Sequence, residues 1–324
     1  MTDYAKYMSR CLQIARIGEY YVAPNPMVGA VLVSADERII GEGWHRQYGG
    51  PHAEVNCFAS VKPEDEALIG ESTLFVSLEP CSHFGKTPPC ADLIIKKGVK
   101  RVVVGMLDPN PLVAGQGIAR IREYGIEVVV GVMEEECREL NKRFLCLHEK
   151  KRPYVVLKWA QTKDGFLDRK REIVESEESR PLVISTPVTK RLVHRRRAEN
   201  MAIMVGTNTV LLDNPRLLTS HWAGRNPIRV TVDRHGRIPA DAKIFSPEAE
   251  TIVYRENTDW EFILADLAKR GIHSIMVEGG AQLLQHIIDT GIYDEVDVEV
   301  GAMEIGDGVA APRLNCGNVS AKFR

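Results

Sequence analysis

Apolar and polar positions alternate along the first half of the chain in a way that predicts strands and helices in regular succession. Apolar residues recur at helical spacing over residues 3–17, and an apolar run over 28–33 is followed by a polar turn at 35–38. The same criteria predict, in order, a helix from His52, strand 73–78, helix 90–97, strand 102–104, helix 118–124, strand 126–130 and helix 134–147. Strands that alternate with helices predict a layered, mostly parallel α/β sheet.

A second alternating block follows a charged stretch at residues 149–153, which ends in proline and predicts a domain boundary. Its predicted elements are, in order, strand 154–159, helix 187–197, strands 202–205, 228–232 and 252–254, helix 260–269, strand 274–277, helix 282–289 and strand 296–300. On helix 187–197 we expect Leu192 and Val193 to face inward. Residues 169–180 carry both charge signs and almost no apolar side chain, which predicts a surface loop. The pattern therefore predicts two α/β domains, 1–147 and 153–324.

Composition restricts the class of protein. The 324 residues, 44% hydrophobic and 27% charged, are typical of a globular protein of two domains. The net charge of −2 argues against a nucleic-acid-binding surface, and no apolar run is long enough to span a membrane. The N-terminus lacks the pattern of a signal peptide, and seven scattered cysteines, an odd number, fit a reducing compartment. We therefore expect a cytoplasmic protein without nucleic-acid or membrane partners.

Four side chains in two short stretches form a candidate zinc site. The first stretch supplies His52 and Glu54, and the second supplies Cys81 and Cys90 with eight residues between the thiols. One imidazole and two thiolates are ligands that zinc prefers, and a fourth position left to water makes such a site catalytic. Glu54, a carboxylate that does not bind the metal, would carry a proton to a leaving amine. The order His-x-Glu followed by Pro-Cys is typical of zinc deaminases.

The alternative for these residues is a helix-capping histidine and two buried structural cysteines. A proline stands directly before each of His52, Cys81 and Cys90. Stiff turns of this kind suit a metal site and favour the zinc interpretation. His83 is a rival ligand by chemistry alone.

Proline-rich motifs are spread over nearly all of residues 1–147. They are Pro24-Asn25-Pro26 with Val28-Gly29, Pro51-His52-Ala53-Glu54, Glu79-Pro80-Cys81-Ser82-His83 with Thr87-Pro88-Pro89-Cys90, and Asp108-Pro109-Asn110-Pro111 with Val113-Ala114-Gly115. In these motifs the first half resembles the deaminase domain of the RibD family of riboflavin biosynthesis proteins. The resemblance implies a cytidine-deaminase-like three-layer fold and hydrolytic removal of an exocyclic amine from a phosphoribosylated diaminopyrimidine. It also implies substrate contacts by Asn25, His45, Lys86, Asp108 and Asn110. For Asn25 and Asn110 taken alone, turn formation beside proline is an equally good interpretation.

Two local features of the second half suit phosphate binding. Gly279-Gly280 precedes a predicted helix, whose free amides and dipole can bind an anion, although such turns also serve only as connections. The basic stretch 190–197 indicates either a solvated helix face or one bidentate arginine–phosphate contact. No G-x-G-x-x-G pattern follows a strand, so a Rossmann dinucleotide site is not predicted.

Further motifs are spread over the second half. They are Leu157-Lys158-Trp159-Ala160 with Asp164-Gly165, Arg197-Ala198, Val205-Gly206-Thr207 with Thr209, Asp213-Asn214-Pro215, Pro227-Ile228-Arg229 with Asp233, and Val277-Glu278-Gly279-Gly280. They resemble the family's reductase domain, which is similar to dihydrofolate reductase and uses NADPH to reduce a ribosyl group to a ribityl chain. The resemblance implies cofactor contacts by Ala160, Thr209, Asp213, Gly280, Ala281, Gln282 and Leu283. It implies substrate contacts by Arg197, Leu217 and Glu278, with Lys158 close by. By chemistry, Lys158 and Asp213 are both candidates for the proton donor.

The two halves together predict a bifunctional enzyme that binds Zn²⁺ and NADPH, acts on small phosphoribosyl pyrimidines and forms a homo-oligomer. Residues 180–185 depart from the family's pattern, and the chain ends before the family's last strands, so we expect the second sheet to expose a strand at its edge. One alternative is a single-function zinc deaminase of a free pyrimidine or an RNA base, with a degenerate second domain. Another is a binding protein that keeps the fold without the activity.

Overall fold

The computed structural model describes residues 3–82, 88–109, 114–171, 180–314 and 320–323. The chain divides into two units, Met1–Lys150 and Lys151–Arg324. Each unit has its own sheet and its own hydrophobic core. Among the described residues, no helix combines the length and the apolar character that crossing a bilayer requires.

The first unit is built on a five-stranded sheet with helices on both faces. Its elements are α1 (Tyr4–Ala15), β1 (Gly29–Val33), β2 (Ile39–Trp44), α2 (Ala53–Ala59), β3 (Thr73–Leu78), α3 (Cys90–Lys97), β4 (Arg101–Met106), α4 (Gln116–Glu123), β5 (Glu127–Val130), α5 (Glu134–Leu140) and α6 (Lys142–Lys150). The strand order is β2-β1-β3-β4-β5. Strand β1 is antiparallel to both of its neighbours, β2 and β3, whereas β3, β4 and β5 pair in parallel and β2 runs in the same direction as they do. Four of the five strands therefore agree with the prediction of a mostly parallel sheet, and the predicted polar turn at 35–38 joins β1 to β2 as an antiparallel pair.

Residues of the central strands alternate between two helical layers. Leu74 and Val76 pack with residues of α2, α3 and α4 on one face, whereas Phe75 packs with residues of α1 and α5 on the other. Because both faces of β3 are covered, four of its six residues are apolar, and the other two are the small polar residues Thr73 and Ser77. Charged and metal-binding side chains come after the end of the strand, where Glu79 and Cys81 follow.

The helix predicted over 134–147 is two helices, α5 and α6, which meet at Asn141. The Asn141 side chain accepts a hydrogen bond from Met27 N at 2.8 Å and donates one to Met27 O at 3.0 Å. Asn141 has φ −105° and ψ 18°, outside helical geometry. A tertiary contact therefore interrupts a periodic pattern that indicates one helix.

Close packing of α2 on β2 depends on glycine at position 43. A Cβ built on Gly43 would lie 2.5 Å from the carbonyl oxygen of Ala53 and closer still to the amide of Cys57. We expect Gly43→Ala to lower the free energy of unfolding by about 1–3 kcal/mol, because the added methyl group overpacks this contact. Gly70→Ala is the matched control, since the nearest atom to its Cβ is 4.0 Å away. Denaturant unfolding of both variants measures the difference, and equal stability would contradict the packing argument.

The second unit contains a seven-stranded sheet in which all neighbouring strands are parallel. Its elements are β6 (Tyr154–Gln161), β7 (Phe166–Asp168), α7 (Pro187–Glu199), β8 (Ala202–Val205), α8 (Thr207–Asp213), β9 (Ile228–Val232), β10 (Thr251–Tyr254), α9 (Trp260–Lys269), β11 (Ser274–Gly279), α10 (Ala281–Thr290), β12 (Glu295–Val300), β13 (Val309–Ala310) and β14 (Ser320–Phe323). The strand order is β10-β9-β8-β11-β6-β12-β14, and β7 and β13 form a separate antiparallel pair. Strand β14 covers β12 and is itself the edge of the sheet.

Three features of the second unit differ from the predictions. Helix α8 was not predicted, because its seven residues are too few to show a clear period. On α7 the buried residues are His194 and Ala198, whereas Leu192 and Val193 are half-buried. Most of the predicted surface loop 169–180 lies outside the described residues; its described ends at 169, 170 and 180 are exposed, but the side chain of Arg171 is only 5% exposed. Its guanidinium pairs with Asp168 and Asp213, and these carboxylates offset the cost of burying the charge.

Candidate functional site

Helix α2 starts directly after the candidate ligand His52 and carries Glu54 in its first turn. His52 occupies the N-cap position with φ −71° and ψ 167°, and its side chain makes no capping hydrogen bond. The helix-capping alternative is therefore wrong. Glu54 is 3% exposed, and burial, together with the nearby Cys81, raises the pKa of its carboxyl to about 7.

The two candidate thiol ligands, Cys81 and Cys90, come together at the N-terminus of α3. Cys81 follows β3, and Cys90 is the first residue of α3. The amide of Cys90 donates to Cys81 Sγ at 3.3 Å, and the amide of Ala91 donates to Cys81 O at 3.1 Å. Backbone amides and the positive end of the helix dipole stabilise an ionised sulfur. Cys81 is thus placed to act as a thiolate ligand.

The three ligand atoms are spaced as the ligands of one zinc ion would be. His52 Nδ1 lies 3.6 Å from Cys81 Sγ and 3.4 Å from Cys90 Sγ. Bonds of about 2.3 Å to sulfur and about 2.1 Å to nitrogen, at a tetrahedral angle, place the nitrogen and sulfur atoms about 3.6 Å apart. Among the described residues, no other three potential metal ligands come within the 4.8 Å that encloses this group. The residues therefore fit the metal.

The two sulfur atoms control each other's ionisation. The hydrogen bond from the Cys90 thiol lowers the pKa of Cys81, and the same contact raises the pKa of Cys90. Two adjacent thiolates repel each other, so both ionise readily only beside a cation. This donor set is suited to a divalent metal ion.

Asn25 and His45 lie in the same cavity as the candidate ligands. The cavity is lined by Asn25, Pro26, Val28, His45, His52, Ala53, Glu54, Leu78, Glu79 and Cys81. His45 Nδ1 is 3.0 Å from Pro51 O, and His45 Nε2 is 3.0 Å from Asn25 Nδ2. A carbonyl oxygen only accepts, so Nδ1 carries the proton and Nε2 accepts from the Asn25 amide. Burial lowers the pKa of His45, in agreement with a neutral ring.

Of the other predicted substrate residues in the first unit, the structure describes Asp108. Its backbone amide donates to Glu79 Oε2 at 3.2 Å, and Glu79 lines the cavity. Lys86 and Asn110 lie outside the described residues, as does the rival ligand His83.

Predicted cofactor residues of the second unit come together where β8 and β11 end. Gly206 N donates to Gly279 O at 2.8 Å. A Cβ built on Gly280 would lie 3.2 Å from Thr209 Oγ1. Helix α10 follows Gly280 and has no side-chain cap, which leaves its first amides to contact a phosphate. Those amides belong to the predicted residues Ala281, Gln282 and Leu283.

The remaining two predicted cofactor residues lie on elements next to this corner. Ala160 lies on β6 beyond Leu157, which pairs with Val277 of the parallel strand β11. Asp213 lies four residues after Thr209 on α8, so both share one helix face. The carboxylate of Asp213 is ion-paired with Arg171 at 2.5 Å.

An ion pair between side chains that are 15% and 13% exposed joins two of the predicted substrate residues. Arg197 Nε and Nη2 donate to Glu278 Oε1 and Oε2 at 2.9 and 2.7 Å, and Arg197 Nη1 donates to Leu218 O at 3.0 Å. Burial would raise the pKa of Glu278, but the charge of Arg197 and, less strongly, that of Lys158 lower it. Leu217, beside Leu218, is buried with φ +54°. The structure thus brings Lys158, Arg197, Leu217 and Glu278 together, and Arg197 binds a carboxylate instead of forming part of a solvated face.

Three residues beside these sites were not identified from the sequence. Glu79 accepts hydrogen bonds from the backbone around α4. His194 is buried on α7, one turn before Arg197, and accepts from Ser220 N at 3.1 Å. Arg171 holds Asp213. For Glu79 the available signal was an acidic residue directly after a mostly apolar strand, where a buried carboxylate must find hydrogen-bond donors.

Comparison with known proteins assigns both halves. Residues 1–106 match the cytidine and deoxycytidylate deaminase zinc-binding region, and residues 153–320 match the RibD C-terminal domain. The riboflavin biosynthesis protein RibD of Aquifex aeolicus is 37% identical over 98% of this chain and 92% of its own length, and that of Escherichia coli is 36% identical over 93% and 88%. A deaminase/reductase crystal structure from Thermotoga maritima is 40% identical with a TM-score of 0.85 and covers 95% of this chain and 89% of that one. The RibD structure from Acinetobacter baumannii is 32% identical with a TM-score of 0.85, over 97% and 91%. This chain therefore belongs to the RibD family of riboflavin biosynthesis proteins, with a zinc-binding deaminase region followed by the RibD C-terminal domain.

Proposed function

We propose that residues 1–147 form a zinc-dependent deaminase and residues 153–324 an NADPH-dependent reductase of riboflavin biosynthesis. The observation that carries the proposal is the gathering of His52, Cys81 and Cys90 in a cavity that Glu54 also lines. The Thermotoga maritima relative is described as a diaminohydroxyphosphoribosylaminopyrimidine deaminase and 5-amino-6-(5-phosphoribosylamino)uracil reductase, which supports the same pair of activities. The substrate is then a phosphoribosylated diaminopyrimidine, which loses its exocyclic amine before its ribosyl group is reduced.

Hydrolytic deamination needs an activated water and a group that moves its proton to the leaving nitrogen. Zinc held by His52, Cys81 and Cys90 would supply the first, because it lowers the pKa of water to about 7. Glu54 supplies the second: its carboxylate takes a proton from water and passes it to the amino nitrogen. The oxygen of water replaces that nitrogen on the ring, and ammonia leaves. Burial of Glu54 at 3% exposure keeps bulk water away from the transferred proton.

Asn25 and His45 would orient the pyrimidine. The contact between His45 Nε2 and Asn25 Nδ2 fixes which end of the amide faces the ring of His45. Asn25 Oδ1 then accepts a hydrogen bond from an amino group of the substrate. His45 acts as a positioning residue, because Pro51 O holds its other nitrogen.

The reductase needs a phosphate-binding corner for NADPH and a proton source. The uncapped N-terminus of α10 beside Gly280, with Thr209 and Ala160 nearby, fits the phosphate-bearing part of the cofactor. When bound, NADPH supplies the hydride. Of the two proton-donor candidates we favour Lys158, because the side chain of Asp213 is already paired with Arg171. Arg197 and Glu278 would contact the substrate.

An assay of both steps on one preparation tests the proposal. Purified protein with zinc and the diaminopyrimidine should release ammonia. Addition of NADPH should then lower the absorbance of the reduced nicotinamide as the deaminated product is consumed. Ammonia release without NADPH oxidation would support the single-function alternative, and no ammonia release would refute the deaminase.

Replacing Glu278 by glutamine tests the reductase site. We expect Glu278→Gln to lower reductase kcat/KM by at least about tenfold, because the partly buried Arg197 loses its carboxylate partner. Deamination should stay within twofold of wild type, which also shows that the variant chain is folded in its first half. Glu261→Gln, an exposed acid in the first turn of α9, is the control and should leave both activities unchanged. Wild-type reductase kinetics in Glu278→Gln would show that Glu278 does not contribute to the substrate site.

A homo-oligomeric state and a cytoplasmic location remain predictions from the sequence. Sedimentation analysis of the purified chain tests the first. Fractionation of cells that produce it tests the second.

A further inference from the structure

Glu79 carries a buried carboxylate between the end of β3, which Cys81 follows, and the start of α4. The residue is 4% exposed. Its Oε2 accepts from the amides of Asp108 at 3.2 Å and Gly115 at 2.9 Å. Its Oε1 accepts from the amides of Gly117 at 3.1 Å and Ile118 at 3.4 Å. One carboxylate therefore holds four backbone donors that come more than twenty-five residues later in the chain.

The hydrogen bonds to Gly117 and Ile118 replace a missing helix cap. The N-cap residue of α4 is Gly115, which has φ +80° and no side chain to accept from the first turn. Such amides lack partners within the helix and are usually met by a serine, threonine or aspartate at the N-cap. Glu79 meets them from another element, and its negative charge lies at the positive end of the helix dipole.

The same contacts join α4 to the deaminase cavity. Glu79 lines that cavity, and only Pro80 separates it from the ligand Cys81. A Cβ built on Gly117 would collide with the carbonyl oxygen of Pro80, so glycine at 117 permits this close approach. Asp108 is held by the same carboxylate oxygen as Gly115. The carboxylate of Glu79 thus connects the segment before Cys81 to both Asp108 and the start of α4.

We propose that Glu79 is a positioning residue of the deaminase, which fixes Asp108 relative to the metal ligands and so sets the affinity for the pyrimidine substrate. The inference deepens the proposed function and depends on it. Glu79 itself transfers no proton, because all four of its contacts are to backbone amides that keep their hydrogens. Its loss therefore acts on substrate binding more than on the chemical step.

The test compares Glu79→Gln, Glu79→Asp and Glu71→Gln with wild type. Glutamine has the size of glutamate, but its amino group would face two amides that also donate. We expect Glu79→Gln to raise the deaminase KM about tenfold or more while kcat stays within about threefold and zinc content stays at the wild-type level. Glu79→Asp keeps the charge on a side chain that is one methylene shorter, so it should raise KM above the wild-type value but less than Glu79→Gln does. Glu71→Gln, just before β3 and with a side chain 71% exposed, should behave as wild type.

Hydrogen exchange provides a readout that is independent of activity. The amides of Gly117 and Ile118 should exchange faster in Glu79→Gln than in wild type, and the reductase of the same chain should be unchanged. If Glu79→Gln does not fold, Glu79→Asp decides: faster exchange with a raised KM supports the proposal, and faster exchange with a wild-type KM overturns it. A drop in kcat or zinc content with an unchanged KM in Glu79→Gln also overturns it. Absence of deamination in the wild-type protein would instead refute the proposed function.

Discussion

Glu54→Gln is expected to lower the rate of deamination by at least about 100-fold, the loss typical of removing a positioned general acid–base. Glutamine keeps the shape of the side chain but cannot carry the proton from water to the leaving nitrogen. Glu54 is not one of the three clustered ligands, so the variant should bind as much zinc as wild type. Ammonia release and elemental analysis of the same preparation measure the two quantities separately.

Two comparisons make this result specific. Glu64→Gln, an exposed acid at the start of the helical turns before β3, removes the same charge outside the cavity and should leave the rate unchanged. The reductase activity of Glu54→Gln should also equal that of wild type. Turnover near the wild-type rate in a zinc-loaded Glu54→Gln sample would exclude Glu54 as the proton carrier. Loss of zinc in that variant would instead place Glu54 among the ligands.

Cys90→Ser should abolish both zinc binding and deamination. Loss of an outer-shell partner of a metal ligand already costs roughly 10- to 100-fold in metal affinity, and here a ligand itself is replaced by a neutral hydroxyl. The remaining pair, His52 and Cys81, keeps only one of the separations that suit a tetrahedral ion. We expect substoichiometric zinc after dialysis and ammonia release at the level of the blank.

Cys57→Ala is the matched control for Cys90→Ser. Cys57 is a fully buried thiol on α2, and it belongs to the hydrophobic core and not to the ligand cluster. This variant should lose some stability and keep its zinc. Prolonged treatment of wild type with a chelator should reproduce the Cys90→Ser phenotype, and added zinc should restore activity in wild type only. Full deamination by metal-free protein would contradict the zinc assignment altogether.

Local pattern predicted most elements of the first unit, because burial on both faces leaves a clear signal. Strand 73–78 and helix 90–97 agree with β3 and α3 at both ends, and Gly98 ends α3 with φ +65°. The prediction failed where a side chain hydrogen-bonds to backbone groups far away in the sequence and so interrupts a helix. The predicted helix is divided at Asn141, because both polar atoms of the Asn141 side-chain amide hydrogen-bond to the backbone of Met27, which lies 114 residues earlier. No local window contains that information.

The candidate sites divide in the same way. The residue types at 52, 54, 81 and 90 predict zinc chemistry by themselves, because few other uses need that set of donors beside strand ends. The reductase residues depended on family resemblance, since glycines and single charged residues have many uses. The ion pairs of Arg197 with Glu278 and of Arg171 with Asp213 became visible only when the strands were placed side by side.

The sequence by itself thus determined the two α/β halves and supplied the candidate metal ligands and the candidate proton carrier. The tertiary structure decided which polar groups contact each other. It placed Glu79 on the amides of α4, the carboxylate of Glu278 on Arg197, and Pro51 O on the ring of His45, which fixes the neutral tautomer of that ring. The physical reason is the range of the interactions. Periodicity and metal-ligand chemistry are properties of short stretches, whereas hydrogen bonds and ion pairs between distant residues depend on how the sheet brings its strand ends together.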